Sequence, residues 1–288
     1  MTSLMRGIVN GFAALCLFAG AGLVFGQDKS GQDKNVNVQP GPKVANQVSH
    51  PAGAAAEHPL IPVIRWAERE KPKIEAITDY TAIMTKQENI GGEVQEAQVM
   101  EIKVRHKPLS FYVKFKYPKK MIGQEAIWVQ GQNDGKLIGH GVGFEKKFGT
   151  QFLDPEGLIA MRGCKYSMKE MGVLNLINKL LEVGQRDSKY GECEVKYYEK
   201  DIKLDDRECT LIRVIHPVPR KNFIFYIAQI FVDKELNLPI RYESYEWPKA
   251  EGEQPVLIEA YTFQKLKLNV GLTDADFDYK NPEYDYPK

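Results

Sequence analysis

The stretch "DYTAIMTKQENIGGEVQEAQVMEIKVRHKPLSFYVKFKY", residues 79–117, decides the fold class. Upstream of it, from Leu60, Ile64, Ala67, Ile74, Ala76 and Ile77 recur at helical spacing, with Pro62 near the start where proline is tolerated. The spacing predicts one helix with Pro72 as its candidate break. After Tyr80 the period drops to two or gives way to continuous apolar runs. "DYTAIMTKQE", "AQVMEIKVRH", "LSFYVKFKY" and the following "EAIWVQGQ" read as strands in meander order, linked by the turn signals "NIGGE" and "YPKKMIG".

The pattern then repeats. Ser167 is placed to cap a second helix over "MKEMGVLNLINKLLEVG", with Glu170 three residues on as in a capping box. Met171, Leu174, Ile177 and Leu181 form its apolar stripe, and Gly184 is read as its end. Strands resume at 192–200, 207–216, "NFIFYIAQIFVD", "LPIRYESYEW" and "PVLIEAYTFQKLKL". Helix, meander, helix, meander is not a βαβ alternation. It predicts an α+β fold, an antiparallel sheet of about nine or more strands with helices on one side. The roughly 230 residues from Leu60 onward suffice for one sizeable core, so 60–288 reads as a single domain.

Ahead of that domain the chain changes character twice. Arg6 precedes an uncharged run from Ile8 to Phe25 rich in Ala, Leu, Phe and Gly, which reads as a secretory signal over residues 1–26, cleaved after Gly26, rather than a retained anchor. Cys16 lies inside the run behind Leu15, unlike a lipidation site, so no acyl chain is predicted. Residues 27–59 are rich in Gln, Asn, Lys, Pro, Gly and Ala and read as a disordered polar linker, reaching roughly 30 Å if the leader is kept. The expected location is the periplasm or cell envelope, with no stable transmembrane span after cleavage.

The full chain has 39 basic and 38 acidic residues, and removing Arg6 with the leader leaves it neutral. Nucleic acid is therefore not expected as a partner, and no polybasic segment addresses an anionic membrane. Of the 4 cysteines, Cys164, Cys193 and Cys209 lie beyond the leader. Cys193 and Cys209 sit on consecutive predicted strands joined by "DIKLDD", which makes them the disulfide candidate in an oxidising compartment. A metal site is not expected: there is no Cys-x-x-Cys, and His106, His140 and His216 are isolated.

Other motifs reduce to structure. "NDGKLIGHGVGF", residues 133–144, has several glycines but follows no strand-to-helix pattern, so a hairpin strand with close packing is expected rather than a phosphate cradle. "TDADFDY" lacks the sixth-position glycine of a calcium loop, where Tyr279 stands, and reads as a solvated turn. The aromatics and lysines of "SFYVKFKYPKK" alternate, placing Phe111, Val113, Phe115 and Tyr117 on one face and Tyr112, Lys114 and Lys116 on the other. No G-x-S-x-G elbow is present. Cys164, between Arg162 and Lys165, is the one candidate thiol nucleophile, with His140 or His216 as its base, and a passive thiol is the simpler reading. "NFIFYIAQIF" is apolar on both faces, as in a central, covered strand.

The tail "LPIRYESYEWPKAEGEQPVLIEAYTFQKLKLNVGLTDADFDYKNPEY" resembles the end of the bacterial outer-membrane lipoprotein carrier superfamily, through Leu238, Pro239, Asn269, Gly271, Leu272, Asp274 and Phe277. More closely, residues from about 60 to 286, with "IPVIRWAE", "HPVPR" and "VGLTDADFD", look like the exported bacterial domain-of-unknown-function family 1571. The carrier resemblance implies an open antiparallel half-barrel whose concave face is covered by helices, with an apolar cavity for acyl chains. The long tether and the "WPKAEGEQP" turn depart from that pattern. On this resemblance the expected function is a non-enzymatic exported binding protein, without cofactor, for a lipid, lipoprotein acyl chain or other hydrophobic ligand. Alternatives are an envelope scaffold or sensor that binds a partner protein, and a thiol enzyme. Strand alternation and the helix stripe nominate Phe111, Val113, Phe115, Met171, Leu174, Phe223, Phe225 and Ile227 as cavity lining.

Overall fold

A computed structural model describes residues 57–287. The signal segment and its cleavage after Gly26, Cys16, and the tether as far as residue 56 lie outside the described residues.

In chain order the elements are α1 (Ile61–Glu75), β1 (Asp79–Ile90), β2 (Glu93–Val94), β3 (Gln98–His106), β4 (Leu109–Tyr117), β5 (Glu125–Val129), β6 (Leu137–His140) and β7 (Gln151–Leu153). After them come α2 (Val173–Asp187), β8 (Glu194–Tyr198), β9 (Lys203–Leu204), β10 (Arg207–Ile215), β11 (Ile227–Asp233), β12 (Pro239–Tyr245) and β13 (Leu257–Leu268). They form one 13-stranded open sheet in the order β7-β6-β5-β4-β3-β1-β13-β12-β11-β10-β8, with β2 paired to β1 and β9 to β10. The fold is α+β and the sheet antiparallel, as the alternating meanders predict. Each meander forms one arm, and the arms join at the centre, where β1 pairs with β13 from Tyr80↔Leu268 to Glu88↔Glu259.

One face of both arms packs on the same two helices. Met84, Ile102, Val113 and Trp128 from one arm share a buried core with Ile177 of α2, Ala67 of α1, and Val214, Ile230 and Ile240 from the other. The helices approach closely because Gly184 has no side chain: a Cβ there would stand 3.2 Å from Ile64. Gly184 therefore does not end α2 as expected, and the helix runs on to Asp187. α1 likewise continues through Pro72, which is exposed. The carbonyl it leaves unbonded, that of Glu68, is also on the exposed side, where water can satisfy it.

The start of α2 also differs from its expected place. Ser167 and Glu170 do form a capping box, but on a single 3-10 turn, Met168–Glu170. Met171 is extended and Gly172 turns the chain at φ +98° before α2 begins. The hydroxyl of Tyr80 then accepts a hydrogen bond from the Val173 N–H at 3.1 Å, so the buried helix end is capped from the sheet. A Cβ on residue 172 would lie 2.5 Å from that hydroxyl.

The opposite face of β4–β6 is covered by the C-terminal segment. Phe277 and Tyr286 pack with Tyr112, Ile127 and Ile138. Asp276 pairs with Lys103 at 2.7 Å, Asp274 with Arg105 at 2.7 Å, and Asp285 with Lys114 at 3.1 Å. "TDADFDY" is the solvated turn expected, with Thr273, Asp274, Ala275 and Asp278 exposed, but it is also anchored: Asp274 and Asp276 reach cations of the sheet's outer face, and Phe277 is buried. The preceding "NVGL" wraps the buried carboxylate of Asp79, which accepts N–H bonds from Val270 (2.7 Å), Gly271 (3.1 Å) and Leu272 (3.2 Å). The residues that carried the resemblance therefore lock the last strand to the first.

"NDGKLIGHGVGF" supplies a turn and β6, hairpinned on β5 with Glu125 opposite His140. It continues into a 3-10 segment, Gly143–Phe148, where no helical structure was expected. Gly141 allows this turn, since a Cβ on it would meet the Glu145 Cβ at 2.5 Å.

Candidate functional site: a cavity on the concave face

Between α2, the chain leading into it and the inner face of both arms lies a cavity of about 370 Å³. Its body is apolar, with Met84, Met100, Val113, Phe115, Met171 and Phe263 on its walls. Alternation explains the strand contributions. Tyr80, Ala82 and Met84 face inward on β1, as do Met100, Ile102 and Val104 on β3.

The same parity carried further along β1 brings Lys86 and Glu88 inward, at one end of the cavity. Across the central seam Glu88 faces Glu259 directly, and both are buried. Two like charges opposite one another destabilise a sheet unless they are compensated. Here Lys86 lies 3.3 Å from Glu88, and Lys165 lies 3.0 Å from Glu259. The Tyr261 hydroxyl donates to Glu88 at 2.5 Å, the Tyr166 hydroxyl to Glu259 at 3.4 Å, and the Lys165 N–H to Glu88 at 3.1 Å. Burial and the neighbouring carboxylates push both tyrosine pKa values well up, which keeps the phenols protonated as donors. Burial by itself would lower the Lys86 pKa, but Cys164 and Glu88 outweigh it and the ammonium is held above its ordinary value. Two cations therefore balance two anions, and these bonds tie residues 164–166 to the sheet.

Of the nominated lining residues, Val113, Phe115 and Met171 stand on the cavity wall. Phe111 is on the same inner face of β4 but deeper in the core, against Trp128. Leu174 packs on the core edge without reaching the cavity wall. Phe223, Phe225 and Ile227 lie elsewhere, because the predicted strand from Asn222 begins only at Ile227. Its partner β10 ends at Ile215 and continues into "HPVPR", whose Pro217 and Pro219 have no N–H for the ladder. Phe223 instead stacks on the buried His216 ring, centroids 3.9 Å apart, and Phe225 lines a smaller crevice between the helices and the second arm. Ile227 alternates with the inward Ala228 and Ile230 and so takes the other face.

Lys86, Glu88, Gln98, Tyr242, Glu259 and Tyr261, which also line the cavity, are not among the nominated residues. Lys86 and Glu88 share the parity of Met84, so alternation alone places them on the inner face despite their charge.

The proposed disulfide is not formed: Cys193 and Cys209 are both free and buried. The β8–β10 register explains it. Glu194 pairs with Ile215 and Tyr198 with Leu211, which sets Cys193 level with His216 at one end of β10 while Cys209 lies near the other. Seven residues of strand separate those levels, roughly 23 Å at about 3.3 Å each, far beyond disulfide reach.

Neither histidine joins Cys164. His140 lies 3.6 Å from Glu125 and against Tyr286, toward the outer face, while His216 lies 3.6 Å from Asp187. The neighbour of the thiol is Lys86, whose ammonium donates to it at 3.3 Å. Among the described residues no cluster of three or more His, Cys, Asp or Glu is arranged to hold a metal, and no helix is long and apolar enough to cross a membrane.

The frame is that of an antiparallel sheet wrapped about two helices with an amphipathic cavity between them. Residues 77–286 match the family described as protein of unknown function (DUF1571), and the chain belongs to that family. Among curated proteins none matches the sequence. Solved structures similar to it include a putative outer membrane lipoprotein-sorting protein domain from Vibrio parahaemolyticus. That match has 13% identity and a TM-score of 0.35, covering 75% of this chain and 95% of the other. Lipoprotein LppX of Mycobacterium tuberculosis matches at 13% identity and TM-score 0.41, covering 76% of this chain and 100% of the other. A DUF1329 family protein from Desulfovibrio piger matches at 15% identity and TM-score 0.37, covering 77% and 98%.

Proposed function

We propose that the protein is a non-enzymatic binding protein of the cell envelope that holds a hydrophobic ligand, a lipid or an acyl chain, in the concave cavity. The observation that carries this reading is the cavity itself, whose volume of about 370 Å³ falls in the range of small-ligand sites, about 300–1,000 Å³. Its walls supply apolar contact from methionines, which adapt to irregular chains. A methylene is worth about 0.8 kcal/mol when buried, so a chain of about ten carbons supplies about 8 kcal/mol before ordering costs. The charges at the polar end already balance one another, so selection rests on apolar burial. Val113, Phe115 and Met171 belong to this site, together with Met84, Met100 and Phe263. The export signal read over residues 1–26 is the basis for placing it in the envelope.

The test is native mass spectrometry of the protein purified from its own envelope without detergent, followed by organic extraction. A bound lipid mass is expected, and it is expected to be lost when Phe115→Ser and Met171→Ser are combined in a protein that melts as the parent does. A ligand-free mass, in a protein that also refuses added phospholipid and fatty acid, overturns the reading.

A further inference from the structure

We infer that the end of the sheet beside the cavity is a docking surface for the headgroups of an anionic phospholipid bilayer. The surface comes from two segments far apart in sequence. Because Glu125 pairs with His140, the chain entering β5 and the chain leaving β6 emerge side by side, and the built position of a Cβ on Gly123 lies 3.8 Å from Val142. The first segment carries exposed Lys119 and Ile122, and the second exposed Phe144, Lys146, Lys147 and Phe148.

Phe144 is 71% exposed, and with Phe148, its edge-to-face neighbour at 6.0 Å, it stands out from the sheet. The Lys147 ammonium sits 5.0 Å above the Phe144 ring. Among the described residues Lys119, Lys146 and Lys147 have no ion-pair partner within 4 Å, in contrast to the paired lysines of the outer face. The one acid of the second segment, Glu145, is folded back against Gly141, and the acids that border the surface are matched by lysines of their own, Glu96 by Lys120 at 3.8 Å and Asp285 by Lys114 at 3.1 Å, with Lys146 adding to the positive field on Asp285. Aromatic rings flanked by unpaired lysines suit the headgroup level of a bilayer, where rings sit among glycerol groups and ammonium ions meet phosphate. The neutral total charge conceals this patch because the acids are committed elsewhere, to the C-terminal strap and the cavity.

The patch also borders the cavity. Met121 and Gln124 line the cavity while Ile122 between them points to solvent. Docking by this end sets the cavity beside the lipid that it fills from or empties into. The surface itself does not depend on the cavity reading.

The experiment is flotation of the protein purified after export, with vesicles rich in phosphatidylglycerol and with vesicles of phosphatidylcholine alone, together with hydrogen exchange of residues 119–122 and 143–148. Association with the anionic vesicles only is expected, falling as salt is raised, with slowed exchange in both segments. Lys146→Glu with Lys147→Glu is expected to weaken it by about fivefold or more per lysine, and Phe144→Ser with Phe148→Ser to remove the slowed exchange. These side chains are exposed, so melting is expected to be unchanged, and every variant shares the same N-terminal segment. Equal association with both vesicle types, or patch variants with parental flotation and exchange, overturns the inference. The pair Phe115→Ser and Met171→Ser is expected to float like the parent. If that pair alone loses flotation, vesicles are captured through the cavity and the patch is not the docking surface.

Discussion

At the scale of single residues, Asp79 does more than its place in the chain announces. Three backbone N–H groups from the far end of the domain converge on its carboxylate, so Asp79→Ala takes away the one acceptor that all three share. Charge-assisted bonds of this kind are worth about 1.5–3 kcal/mol each, though not additively, and we expect a loss of about 3 kcal/mol in urea unfolding. "NVGL" was legible as a turn, but nothing local showed which acid it encloses. His216 yields a second prediction. Burial holds its pKa below the ordinary value despite Asp187, and burial does the same to His106. The unfolded chain then binds protons that the folded one refuses, so stability falls as pH drops below about 6.5, by at most about 1.4 kcal/mol per pH unit for each histidine. Asp276 and Asp285, held low against Lys103 and Lys114, add their loss only below about pH 4. Thermal melting across that range is expected to show both steps, the upper one reduced in His216→Phe.

At the scale of elements, periodicity placed both helices and most strands, and their ends were set by contacts that periodicity does not register. α2 begins at Val173 because Gly172 must pass under Tyr80, and it runs past Gly184 because Ile64 occupies the space of a side chain. The apolar run from Asn222 looks like one strand, yet its first half has no ladder partner beside Pro217 and Pro219. Phe223 and Phe225 consequently pack on His216 rather than on the cavity. Register is the missing information for the cysteines too, since two strands in a hairpin do not place two chosen residues level. Burial pushes the Cys193 thiol up to about 12 and raises Cys209 as well, so both are expected to resist a thiol reagent until the protein unfolds. Cys164, only partly buried, is expected to react in the folded protein. A thiol titration before and after denaturant, with equal gel mobility under reducing and non-reducing conditions, checks this.

At the scale of the molecule, the succession of helix, meander, helix and meander contained the architecture, because each meander becomes one arm and the helices fill the space between. The cavity was legible in part. Val113, Phe115 and Met171 follow from alternation and the helix stripe, whereas Glu259 and Tyr261 meet Glu88 only through the pairing of β1 with β13. That central seam also governs the order of events during folding. Every other neighbouring pair along each arm is a near-local hairpin, but Tyr80 must find Leu268 across nearly the whole domain. Each doubling of such a loop adds only about 0.6 kcal/mol to its closure cost, but long-range pairing of this kind slows sheet proteins to milliseconds or seconds. Stopped-flow refolding is expected to show a dominant phase in that slow range, slowed further by mutations in β13. During synthesis the two arms can form early, but the seam waits for the last strand. Until it arrives the nascent chain displays both inner faces, and the domain is exposed to aggregation in its final moments of assembly.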